Sequence, residues 1–298
     1  MIDLDFPSYA LVFSAAIVAG VVNSIAGGGT ILTFPAAIAA GLSPIVANAT
    51  NCVALVPGAL ASAWAYRREL ERWGSTVRLL IVATGLGGLV GAAVLLATPE
   101  RWFDAIVPWL VLGATLLVVF QGTITRWTRR GNVQRGGPRA LALVLFGIGI
   151  YGGYFGAGQG IFMLGAFSLV LSGSLHEMNA LKVVAASFSN GFAAVYFLAR
   201  GVVDGPMALT MSAGAILGGF VGASIARRVN PRHVRVAIVV IGLALTVVLL
   251  ERAYGVVRGS AAHSTVAGFP GAERRARAAE RTDAPRRIEA RAFAPNLA

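Results

Sequence analysis

Between Phe6 and Tyr66 the chain carries not one Asp, Glu, Lys or Arg, and a second run without them extends from Ala140 to Leu175. A helix needs about 20 predominantly apolar residues to cross the hydrocarbon core of a bilayer, so each run is long enough for more than one passage. About a quarter of an ordinary soluble domain is charged. Here 13% of residues are charged and 56% are apolar, too few charges to coat a soluble globule of 298 residues. The chain therefore reads as a polytopic membrane protein. Lipid offers no hydrogen bonds to the backbone, which leaves helices or closed barrels. The alternating pattern of barrel strands is absent, so the fold class is all-α.

Eight hydrophobic segments follow, at about 9–41, 45–66, 76–98, 103–122, 140–172, 179–199, 205–226 and 234–250. A net charge of +12 does not point to nucleic acid. All but one of the 25 basic residues are Arg, and these lie between segments, at their edges or after the last one, as Lys/Arg excess does in cytoplasmic loops. The exception, Lys182, opens an apolar run. Cys52 is the single cysteine and forms no internal disulfide. The first residues hold two acids and no basic n-region, so no cleaved signal peptide is expected.

An offset of 131 positions lays the chain on itself without a gap. Ala26-Gly27-x-Gly29 falls on Ala157-Gly158-x-Gly160, and Asn48-Ala49 on Asn179-Ala180. Leu86-Gly87-Gly88-x-Val90-Gly91-Ala92 falls on Leu217-Gly218-Gly219-x-Val221-Gly222-Ala223. The expected organisation is two tandem four-segment repeats with glycine-broken first segments. The first occupies 1–125, an Arg-rich linker 126–139, and the second 140–251. A basic tail, 252–298, lacks an apolar stripe and reads as largely disordered.

In each half the first segment is too long for one passage and carries glycines mid-way: Gly27, Gly28 and Gly29 before Thr30, then Gly158, Gln159 and Gly160. Each Gly costs a helix roughly 1 kcal/mol relative to Ala, so an unwound or re-entrant stretch is expected. Paired breaks of this kind mark a transporter's binding site, where backbone donors and a half-helix N-terminus favour an anion. Gly87, Gly91, Gly218 and Gly222, spaced by four without polar neighbours, read instead as close helix packing. The next segments open with Asn48, Thr50 and Asn51, and with Asn179 and Lys182; Ser189 and Asn190 extend the face of Lys182. Polar groups in a span usually face a cavity or a partner helix, although Lys182 could also snorkel to headgroups from near the span's end. His176 and Glu177 read as turn residues. There is no metal-ligand spacing, nucleophile–base pairing or phosphate loop. No enzyme and no cofactor are therefore expected.

At these residues the chain resembles the sulfite exporter TauE/SafE family of membrane permeases. The resemblance rests on Gly27-Gly28-Gly29 with Pro35 downstream, on Ala47-Asn48-Ala49-Thr50-Asn51, on Gly156-Ala157-Gly158-Gln159-Gly160 and on Asn179-Ala180-x-Lys182, and it covers about residues 8–250. It implies two four-helix repeats and export or uptake of sulfite, sulfonates or other small organic anions. The chain departs from the family where Cys52 follows Asn51 and where Ala157 and Gln159 interrupt the second glycine cluster, which bears on substrate identity more than on membership.

The expected protein is thus a multi-pass plasma-membrane permease that moves a small anion by alternating access. Its partners are that anion and the lipid bilayer, and the sequence leaves room for a homo-oligomer. A passive anion channel is the alternative, with a membrane-embedded enzyme or an assembly factor behind it. Loop charges favour halves of inverted orientation. Arg67, Arg68, Arg72 and Arg78 precede the sparse loop of Arg101, whereas Arg200 precedes Arg227, Arg228, Arg232 and Arg235. The basic tail favours parallel halves.

Overall fold

The computed structural model describes residues 6–25, 29–130, 137–225 and 231–254. Gly27 and Gly28, most of the linker and the tail from 255 onward therefore lie outside the described residues, as does the side chain of His176. Everything described is helix, turn or connection, with no strand. The helices are α1 (Phe6–Ile25), α2 (Thr30–Ala39), α3 (Pro44–Ala65), α4 (Gly74–Ala97), α5 (Glu100–Arg130), α6 (Pro138–Tyr154), α7 (Gln159–Val170), α8 (Leu175–Ala199), α9 (Gly205–Ile225) and α10 (Pro231–Tyr254). Among the described residues, six helices are long and apolar enough to cross a membrane, and α2, α6, α7 and the apolar part of α9 are shorter. Helices of 10 and 12 residues rise about 15 and 18 Å at 1.5 Å per residue. Against a core of about 30 Å, α2 and α7 reach only part-way through.

The second long hydrophobic segment is broken at its glycines, α6 stopping at Tyr154 and α7 starting at Gln159; in the first, α1 and α2 flank residues 26–28, which lie outside the described residues. The break between α6 and α7 turns on Gly156 and Gly158, at φ 77° and 76°, a left-handed conformation that side chains with a Cβ rarely adopt. The Tyr151 hydroxyl donates to the Ala157 carbonyl at 2.6 Å and pins the break from within α6. The helices that follow α2 and α7 begin at Pro44 and Leu175, Gly74 and Gly205, Glu100 and Pro231, each pair separated by the 131 residues that align the sequence.

The middle of α4 is sorted by size, large side chains outside and small ones inside. On α4, Val82, Leu86, Val90 and Val94 are exposed at a spacing of four, while Ala83, Gly87, Gly88, Gly91 and Ala92 are buried. Lipid tails are as apolar as Leu, so helices in a bilayer gain by close backbone approach rather than by hiding large side chains. A Cβ on Gly87 or Gly91 would collide with the Phe146 or Ile150 carbonyl of α6, and one on Gly218 with the Ile17 carbonyl of α1. These seams join α1 to α9 and α4 to α6, so the first five helices interlock with the last five.

Helix directions follow from the contacts. The Tyr254 hydroxyl, at the end of α10, donates to Ala105 O near the start of α5, and Gly242 lies against Thr115. Thus α5 and α10 run antiparallel. Cys52 meets the Asn190 carbonyl while Tyr66 meets Asn179, so α3 and α8 are antiparallel as well. Gly214 and Gly218 of α9 follow Phe13 and Ile17 of α1 in the same sense, and Gly149 and Gly153 of α6 follow Thr84 and Gly88 of α4. Those two pairs are parallel.

Candidate solute site

A cavity of about 190 Å3 lies between the helices α1, α2, α3 and α8 and the glycine break of the second half. That is smaller than the roughly 300–1,000 Å3 of pockets for drug-sized ligands. Gly20, Asn23 and Thr30 reach it from α1 and α2, and Gly156, Gly158, Gln159 and Gly160 from that break and the start of α7. Leu55, Gly58, Ala59 and Ser62 of α3 form one wall, Lys182, Val183, Ala186 and Asn190 of α8 another, and Gln121 of α5 completes the polar lining.

Lys182 is the one charged residue among the described residues of this lining. Its aliphatic stem lies over Gly160, where a Cβ would stand 3.1 Å from Cδ, so the bare glycine provides its berth in the first turn of α7. The side chain has neither hydrogen bond nor ion pair to any described residue. An ammonium beside the positive end of a helix dipole is unfavourable by itself; an anion between the two would satisfy both. Gln159 extends the polar wall, its Nε2 donating to Asn190 Oδ1 at 2.8 Å. The Gln159 amide oxygen is buried with no protein partner.

The first half fills the corresponding positions with bonded groups. Gly29 N–H donates to Asn23 Oδ1 at 2.8 Å, so a neutral side chain caps α2. Asn51, which the 131-residue offset aligns with Lys182, is buried and accepts from the Thr33 hydroxyl. Asn48 donates to the Tyr154 carbonyl at 3.0 Å, and Thr50 accepts from Asp204 N–H at 3.0 Å.

Of the residues singled out in sequence, Thr30, Gly158, Gln159, Gly160, Lys182 and Asn190 line the cavity. Gly29, Asn48, Thr50, Asn51, Asn179 and Ser189 do not; Asn179 donates to the Tyr66 hydroxyl, and Ser189 packs toward α4 and α6. Asn23, Ser62 and Gln121 were not foreseen. Their signal was a lone polar side chain in an apolar run. Glu177 is the third residue of α8, not a loop residue: it completes a capping box with Ser174 and pairs with Arg72.

The chain matches the sulfite exporter TauE/SafE family over residues 12–249. It belongs to that family. It is 30% identical to "Probable membrane transporter protein ORF9" of Sinorhizobium, over 84% of this chain and 95% of the relative. It is 28% identical to "Probable membrane transporter protein YfcA" of Escherichia coli, over 82% and 90%. A "Probable membrane transporter protein" of Haemophilus influenzae is 26% identical over 82% and 95%. No solved structure matches the chain. Family and relatives alike indicate a membrane transporter, and the six apolar helices fit a multi-pass membrane protein.

Proposed function

We propose that this member of the TauE/SafE family moves a small anion across the plasma membrane by alternating access, with the cavity at the glycine break of the second half as its solute site. The observation that carries the proposal is Lys182. It is a cation without a counter-ion among the described residues, held on Gly160 at the start of a half-length helix, inside a cavity lined by no carboxylate. Asn23, Thr30, Gln159 and Asn190 supply neutral donors and acceptors that would orient an oxyanion such as sulfite or a sulfonate. The antiparallel pairs α3/α8 and α5/α10 support two inverted repeats, the arrangement in which one half rocks against the other around a fixed site. Beyond the cavity, Phe34 packs edge-on against Phe155 and Phe103 against Tyr154, with centroids 5.4 and 5.7 Å apart.

Flux into sealed vesicles, measured with a panel of anions including sulfite, tests the proposal. Lys182→Ala is expected to abolish anion flux while leaving membrane insertion intact. Lys182→Arg is expected to restore it only in part, because a planar fork replaces a point charge. Undiminished flux through the Ala variant would return Lys182 to a snorkelling role.

A further inference from the structure

Lys182 carries the only formal charge on the cavity lining among the described residues, and the elements around it offer nothing to balance it. No acid occurs on α1, α2, α3, α7 or α9, and the acids of α5, Glu100 and Asp104, lie at the far end of that helix from Gln121. The closest carboxylate along α8, Glu177, is already held by Arg72 and by the backbone and hydroxyl of Ser174. An empty cavity therefore encloses a net positive charge, and a cavity holding a monovalent anion encloses a neutral pair.

This difference decides which states can turn over. Alternating access requires a state shut at both ends, so that one end closes while the other is already closed. Shutting the open end on an unpaired ammonium would put an uncompensated charge into a low-dielectric enclosure, the expensive case for buried ions. Shutting it on an ion pair avoids that cost. We infer that the protein is an obligatory exchanger of monovalent anions: the loaded site reorients in both directions, the empty site does not, and each anion that enters is matched by one that leaves. The inference rests on the anion reading of Lys182 above. A divalent anion leaves the enclosed site with a net charge of the opposite sign and is a poor exchange partner for the same reason.

The test uses the full-length chain in proteoliposomes, with labelled methanesulfonate, monovalent throughout the working pH range, as external probe. The vesicles contain unlabelled methanesulfonate, sulfate, or only a polymeric anion too large to enter. Uptake is expected to be faster by about tenfold or more with internal methanesulfonate than with the polymer. Sulfate should not substitute, and a clamped potential of about 100 mV should leave the rate unchanged. Equal uptake into polymer-filled vesicles, uptake driven by the potential, or net uptake accompanied by a proton would each overturn exchange. Binding to the solubilised protein, followed by thermal shift, separates this failure from that of the underlying reading. Binding with equal fluxes sinks exchange alone; neither binding nor flux with methanesulfonate or sulfite sinks the anion reading and this inference with it.

Discussion

Gly152 shows how a residue outside the cavity can set its chemistry. A Cβ there would collide with the Gln159 amide oxygen and stand 2.6 Å from Ser189 Oγ, so the bare α-carbon makes the slot that holds the Gln159 amide against Asn190. Gly152→Ala must push that amide away or shift α6. Leaving a buried donor or acceptor unmatched costs about 1–3 kcal/mol. The variant is therefore expected to raise KM for the transported anion by roughly tenfold or more, with normal insertion. An unchanged KM would mean that the Gln159 amide plays no part in holding the solute. At this scale the sequence was legible where chemistry was concentrated: the only Lys and the amide inside the second glycine cluster both face the cavity. Asn48, Thr50 and Asn51 do not reach the cavity; their partners are Tyr154 of α6, Asp204 just before α9 and Thr33 of α2. Spacing along one helix shows which groups share a face. It does not show whether a partner across the bundle already satisfies them.

Among helices, some glycines meet a neighbour's backbone and others meet nothing. Gly91 belongs to the first kind, since its absent Cβ would collide with the Ile150 carbonyl and stand 2.8 Å from Tyr154 N. Gly147, on α6, has open space within 4 Å. Gly91→Ala should therefore force α4 and α6 apart and cost about 1–3 kcal/mol, the usual penalty for overpacking. Gly147→Ala should be neutral, or stabilise by up to about 1 kcal/mol through helix propensity. Thermal unfolding in detergent measures both, and a Gly91→Ala protein as stable as the parent would remove the seam from the account of the fold. The break at 155–158 was readable because clustered glycine penalises helix directly. The start of α8 was placed four residues late, at 179, although Ser174-x-x-Glu177 spells a capping box. An apolar-segment reading finds the lipid-facing part of a helix and overlooks the polar turn that starts it.

At the scale of the whole molecule, the charges and the helix directions agree on one orientation. The turn after α3 begins α4, and α6 starts at the same end because it runs parallel to α4. The two-residue connection after α4 sends α5 back to that end. Thr50 and Ala54 meet Asp204 and Ser212 in the same order, so α9 parallels α3 and also finishes there. The clusters Arg67–Arg68–Arg72 and Arg126–Arg129–Arg130 thus gather at the end where α9 also finishes, with Arg101, Arg200, Glu100 and Asp204 at the other. By the bias of Lys/Arg toward cytoplasmic loops, the Arg-rich end is expected to face the cytoplasm. The end of α10 would then lie outside. In a protein freed of its native cysteine by Cys52→Ala, Leu70→Cys and Val229→Cys test the orientation with a membrane-impermeant maleimide. Both sites are expected to react only when the cytoplasmic face is exposed. Reaction from opposite faces would make the two halves parallel and remove the inverted repeat on which the rocking mechanism depends.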